Sequence, residues 1–249
     1  MRGLEFFLLP SRVHTRPLST STNHWTVGVS KKTMKEKVLT FALRIGVAVP
    51  FLYFGIQIIA ALFFPGYSFL SMEASLLGSD LAIYPAIFNI GAIITGTVTI
   101  IASVGFLLAL QHLGTTPFLA LLTSLAVLLN GLGSLWAGFF PMPDPRHGSN
   151  PFAVGIFLFP ILLTFALWNR SNARPIKIYL IITNLLFIAL IPIMSGVSGI
   201  NTQDYQGLLQ RIAVLVFFVP ISVGSYFLIQ GTKNLSFSEG TKREGKKTA

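Results

Sequence analysis

The sequence predicts an all-α polytopic membrane protein, a bundle of six transmembrane helices with both termini cytoplasmic. Three observations lead there. Hydrophobic residues make up 53% of the 249 and charged residues only 10%, against roughly a quarter charged in a soluble globular chain. Six apolar stretches, free of Asp, Glu, Lys, Arg and His, come close to the ~20 helical residues that span a ~30 Å hydrocarbon core. Finally, the basic residues sort onto one side of those stretches, as cytoplasmic retention of Lys and Arg requires. A mean hydropathy of +0.72 excludes both a soluble fold and a disordered chain, and the absence of cysteine excludes disulfides and thiolate metal sites.

The first apolar stretch runs Ile45–Phe64, with Arg44 just outside it where its side chain can snorkel. The others are Ile83–Leu110, Phe118–Phe140, Phe152–Trp168 (the shortest), Ile178–Val197 and Ile212–Ile229. Each is continuously apolar rather than alternating, which favours helices over barrel strands. Pro50, Pro160, Pro192 and Pro220 fall inside spans, where a membrane helix tolerates proline better than a soluble one. Sixteen of the 18 Lys and Arg lie in the two ends and in loop four; Arg146 and Arg211 fall on the other side with Glu73, Asp80, Asp144 and Asp204. The net charge of +10 is therefore a topological signal, and no nucleic-acid partner is expected.

Residues 37–229 form the transmembrane domain. Residues 1–36, with a Ser/Thr run and scattered Arg, read as a disordered extension or a mis-called start, Met34 being the alternative initiator, before they read as a targeting segment. Residues 230–249 read as a disordered basic cytoplasmic tail able to meet anionic headgroups.

No ionisable residue sits within a span, which weighs against pumps, proton-coupled carriers and voltage sensors. Gln57, Asn89, Asn130 and Asn184 are the amide side chains within spans, read first as interhelical hydrogen-bonding groups and second as the lining of a substrate path. Asn130, Ser134 and Gly138 share a helix face beside Gly133 and Ala137, and Gly91 and Gly96 lie in the second span, a small-residue pattern that suits close helix approach.

The outer loops carry the candidate chemistry. Asp80, Asp144, His147, Asp204 and Arg211 open on one side and form, with Asn89, a candidate vestibule. Asp144 with His147 three residues on fits a general-base pair or two metal ligands, with Ser75 as a candidate nucleophile. The competing reading is structural: stiff Pro-rich turns, and Arg211 pairing an acid to pin the loops. Of the four histidines only His147 is outside, so a three-His metal site cannot form from one chain, and no metal or cofactor is expected. No Walker loop, HExxH or GxSxG is present.

Pro65-Gly66-Tyr67-Ser68, Ser75-x-Leu77-Gly78, Phe88-Asn89, Gly138-Phe139-Phe140-Pro141 with Asp144 and His147, and Gly207 to Arg211 together resemble the prokaryotic six-span family catalogued as domain of unknown function nine-nine-eight. More distantly the sequence is similar to Frag/DRAM/Sfk-type membrane proteins. The resemblance covers about Lys37 to Ile229. It implies a six-helix bundle in a bacterial or archaeal plasma membrane, supplies no reaction, and carries over Asp144, His147 and Arg211 as a possible site; where similar proteins place an acid before the Arg, this chain has Gln210.

The expected function is therefore binding or organising a lipid headgroup or a membrane partner through an outward-facing polar vestibule, the bilayer itself being the first partner. The reading leans away from catalysis. The alternatives are a lipid-modifying hydrolase or transferase built on Asp144 and His147, and a facilitative channel or carrier lined by Asn89, Asn130 and Asn184.

Overall fold

The computed structural model describes residues 33–247, with side chains through residue 234; the expectations for residues 1–32 lie outside the described residues. Six α-helices follow in order: α1 Met34–Ala61, α2 Pro85–His112, α3 Pro117–Phe139, α4 Val154–Ala166, α5 Arg174–Met194 and α6 Gln206–Lys247, with short 3-10 turns at Ala74–Gly78, Ser171–Ala173 and Gln203–Tyr205. No strand occurs among the described residues. Five helices are long and apolar enough to cross a membrane, and the chain is a multi-pass membrane protein by that measure. α4 is apolar but has only 13 residues, about 20 Å of rise, and is flanked by turns at residues 151–153 and 167–169.

Local chemistry fixes the helix ends. α1 begins eleven residues before the apolar stretch that marks it, because Thr33 and Glu36 form a capping box: the Glu36 amide donates to Thr33 Oγ1 (3.3 Å) and the Thr33 amide to Glu36 Oε2 (3.0 Å). Proline stands in the first turn of α2, α3 and α5, where its missing N–H costs nothing. α2 ends at Gly114, whose φ of 77° allows the amides of Gly114 and Thr115 to reach back to the Gln111 and Leu110 carbonyls (2.9 Å each), a Schellman closure that a side chain at that position would strain. All four span prolines lie inside helices, as expected. α6 continues as helix past Gln230, where the tail is expected to begin, as far as Lys247.

α2 packs most extensively on α3 and then on α1, and α6 closes against α1. The α2–α3 seam is built from small residues: a Cβ on Gly96 would lie 2.7 Å from the Gly131 carbonyl oxygen, and one on Gly131 2.8 Å from that of Gly96. Backbones approach this closely only where side chains are absent. Ser134 donates to the Ala92 carbonyl (2.9 Å) and Gly138 abuts the Asn89 carbonyl, so part of the expected small face is packing. Phe106 and Phe159, edge to face at 5.2 Å, centre the core with Leu43, Leu110, Leu163 and Ile221. α5 is the least enclosed of the candidate spans, exposing Ile181, Ile182, Leu185, Leu186 and Ile188, an apolar surface suited to lipid.

Candidate functional site

The loop joining α1 to α2 is held by the start of α6. Gly207, Leu208, Gln210 and Arg211 all engage it: the Leu208 amide donates to the Leu70 carbonyl (2.9 Å), and Gln210 Oε1 accepts from the Ala74 amide (2.6 Å). A Cβ at position 207 would collide with the Met72 carbonyl at 2.3 Å, so glycine is what lets the strands of chain approach. Arg211 Nη1 donates to the carbonyls of Phe69 (2.9 Å), Met72 (3.1 Å) and, within its own helix, Gly207 (2.7 Å), while Nη2 donates to the Tyr67 hydroxyl. That hydroxyl in turn donates to the Glu73 carbonyl (3.0 Å). Burial pushes the Tyr67 phenol above its ordinary value, and the neighbouring Arg211 charge works the other way. Arg211 thus pins loop one through neutral acceptors rather than through the acid expected from the sequence.

Loop three is organised around its own ion pair. Arg146 forks onto Asp144, Nε to Oδ1 at 3.0 Å and Nη2 to Oδ2 at 2.6 Å, and its amide adds a third bond to Oδ1 at 2.9 Å. These bonds pull the Asp144 carboxyl down to about 2. Arg146 also lies over the Phe140 ring at 3.9 Å, and its carbonyl accepts from Trp136 Nε1 at 2.8 Å. His147 Nδ1 contacts the Phe140 carbonyl at 2.8 Å. A carbonyl cannot donate, so Nδ1 carries a proton, and in the neutral ring Nε2 is left as an acceptor. The Asp144 carboxylate therefore faces Arg146, and His147 is oriented by a backbone oxygen.

Between these two loops lies a cavity of about 320 Å³ to which all six helices contribute. Its walls are mostly apolar, with Tyr53, Phe88, Met194, Phe217 and Phe218 the largest members. Ser75, Asn130, Ser134, His147, Asn150 and Gln210 are its polar members, and among the described residues no Asp, Glu, Lys or Arg lines it. The Ser75 hydroxyl donates to Glu73 Oε2 (3.1 Å), and Asn150 bridges the Gly133 carbonyl and the Phe152 amide. Asn130, only 3% exposed, makes no side-chain hydrogen bond among the described residues, and its Nδ2 is sealed from solvent.

Of the residues singled out in the sequence as candidate nucleophile, base or path lining, the structure brings Ser75, Asn130 and His147 to this cavity, with no hydrogen bond between Ser75 and His147. Asp80 and Asp204 are exposed and do not line it. Asn89 donates to the Gly78 carbonyl (2.9 Å) and so ties loop one to α2. Asn184 donates to the Leu180 carbonyl in its own helix, so the three span asparagines do not form one lining. Among the described residues no group of three His, Asp or Glu is placed to hold a metal. Tyr53, Asn150 and Gln210 are lining residues that sequence reasoning did not assign to the site. A polar residue one turn outside an apolar stretch, as Gln210 is, was the available signal.

No curated protein and no solved structure matches the chain. The model of a family described as "Protein of unknown function (DUF998)" matches residues 47–225, an interval that runs from α1 through the seam, both outer-loop clusters and the cavity into α6. The protein belongs to the DUF998 family.

Proposed function

We propose that the protein resides in a prokaryotic plasma membrane, crosses it six times with both termini cytoplasmic, and binds the polar end of a lipid-like amphiphile in the cavity beneath loops one and three. The observation that carries this reading is the make-up of the cavity wall. Aromatic, aliphatic and thioether side chains surround a few neutral hydrogen-bonding groups, the pattern of sites that take a largely apolar ligand and orient it by a few polar contacts. At about 320 Å³ the space is at the small end of ligand sites, ~300–1,000 Å³, which suits a head and the first part of a chain rather than a whole lipid. Asp144, Asp80 and Asp204 lie off this wall, so the proposed ligand is met by the cavity and not by an acidic vestibule.

Filling the space tests the reading. Ala137 lines the cavity from α3, and Ala137→Phe would place a ring there. Protein purified in mild detergent is expected to retain an amphiphile identifiable by mass spectrometry, and Ala137→Phe to lose it while remaining folded. Equal retention by a folded Ala137→Phe protein would refute the site.

A further inference from the structure

We infer that the ligand head is uncharged and carries both a hydrogen-bond acceptor and a donor, the chemistry of a hydroxyl- or amide-bearing acyl amphiphile, and that Asn130 anchors it. The inference rests on reading the cavity as an amphiphile site. It follows from which polar atoms on the wall remain unengaged.

Asn130 is the centre of the argument. It lies on α3 with 3% of its surface exposed, lines the cavity, and holds a buried amide nitrogen with no partner among the described residues. A buried donor left unmet is expensive, and native proteins keep few of them. A ligand carbonyl, ester or hydroxyl oxygen would satisfy it once rotation of the side-chain amide brings that nitrogen to the cavity. Gln210 adds a second donor, since its Oε1 is held by the Ala74 amide at 2.6 Å and its amide nitrogen is left over. His147 supplies the complementary acceptor in its neutral form: with Nδ1–H held by the Phe140 carbonyl at 2.8 Å, Nε2 then offers a lone pair. The wall thus asks for an acceptor and a donor on the same head.

The absence of charge on the lining decides the rest. Arg146 is engaged with Asp144, and Arg211 with loop one; neither lines the cavity. A phosphate or carboxylate entering it would be desolvated with no counter-ion, which is costly even where neutral donors are present. A neutral head loses far less on leaving water.

The test is native mass spectrometry of the full chain in mild detergent, titrated with four oleoyl or C18 probes: 1-monooleoylglycerol, oleoylethanolamide, oleoyl lysophosphatidic acid and octadecene. The expected result is that the better of the two neutral polar probes binds at least tenfold more tightly than the phosphate. Asn130→Leu, nearly isosteric, is expected to weaken that probe about tenfold and to leave octadecene unchanged. Ligand-free Asn130→Leu should melt no lower than the wild type, because it removes an unpartnered buried amide. Should that variant fail to fold, the wild-type ranking of neutral against anionic probe decides alone. Equal or tighter binding of lysophosphatidic acid overturns the inference, as does a folded Asn130→Leu protein that binds the neutral probes within twofold of wild type. These outcomes differ from failure of the site itself, in which no probe binds or Ala137→Phe blocks none of them.

Discussion

Replacing Arg211 with Met removes the clasp on loop one while keeping the aliphatic stem packed. The guanidinium makes three bonds to that loop, to the Phe69 and Met72 carbonyls at 2.9 and 3.1 Å and to the Tyr67 hydroxyl. A hydrogen bond from a charged donor contributes ~1.5–3 kcal/mol when well shielded. Arg211 is only half-buried, and the freed carbonyls can find water, so ~1 kcal/mol per bond is the appropriate scale here. Against this stands the Arg211 Nε, sealed from solvent without a partner, whose removal returns roughly 1 kcal/mol. The net expectation is a loss of ~2 kcal/mol. At ~2–4 °C per kcal/mol for chains of this size, Tm in detergent should fall by about 4–8 °C. Hydrogen exchange should speed up at the amides of Met72, Ala74 and Leu208, each bonded within the clasped segment. Arg211→Lys should recover less than half of the loss, since a point charge cannot reproduce the planar fork. If Arg211→Met left both Tm and loop-one protection at wild-type values, the clasp would be a surface contact and the reasoning would fail.

Two further perturbations probe other parts of the structure. Gly131→Val should destabilise the protein severely, by about 3 kcal/mol or more, because the new Cβ would stand 2.8 Å from the Gly96 carbonyl oxygen and 2.9 Å from the Ile100 amide; a Tm within a degree of wild type would show that the α2–α3 seam has slack. Asp144→Asn should act only in acid: the folded carboxyl is lowered from 3.8 to about 2, so its stabilising effect is complete above pH ~4 and is lost as pH falls toward 2. Because the pair is exposed, wild-type and Asp144→Asn melting curves should keep a small constant offset between pH 5 and 8 and converge below pH 4, and an offset that changes between pH 5 and 8 would contradict this.

The helices were legible because in a membrane chain apolar run length carries nearly the whole signal, and five of the six stretches correspond to helices of spanning length. Errors arose where tertiary or capping chemistry decides. The extra turns of α1 were written in Thr33 and Glu36, a pattern that an apolar-run reading passes over because Lys35 and Lys37 look like flanking charge. The brevity of α4 has no counterpart in hydropathy: the stretch Phe152–Trp168 is continuously apolar, but its ends are drawn into turns, one of them fixed by Asn150 binding Gly133 and the Phe152 amide. Small-residue spacing pointed to close helix approach at Gly96, Ser134 and Gly138, which meet in the α2–α3 seam, and could not say that Gly133 and Ala137 would instead face Asn150 and the cavity.

The candidate site was harder to read, for a physical reason. Sequence inspection ranks residues by charge, yet charged groups in these loops are the ones most strongly driven to find partners: Asp144 takes Arg146 two residues away, and Arg211 takes the Phe69 and Met72 carbonyls of loop one. Once engaged, they hold loops in place and have little left to offer a ligand. Neutral amides within spans behave differently. Asn89 and Asn184 satisfy themselves on nearby carbonyls at 2.9 Å, whereas Asn130, set on a face where Gly131 and Gly155 bring neighbouring helices close, lines an open space while its sealed nitrogen stays unmet. Gln57 is as deeply buried and equally unpartnered but does not line the cavity, so an orphan amide alone does not mark a site. What distinguishes Asn130 is the coincidence of unmet hydrogen-bonding capacity with room for a partner, and that coincidence depends on helix separation, which no single sequence pattern encodes.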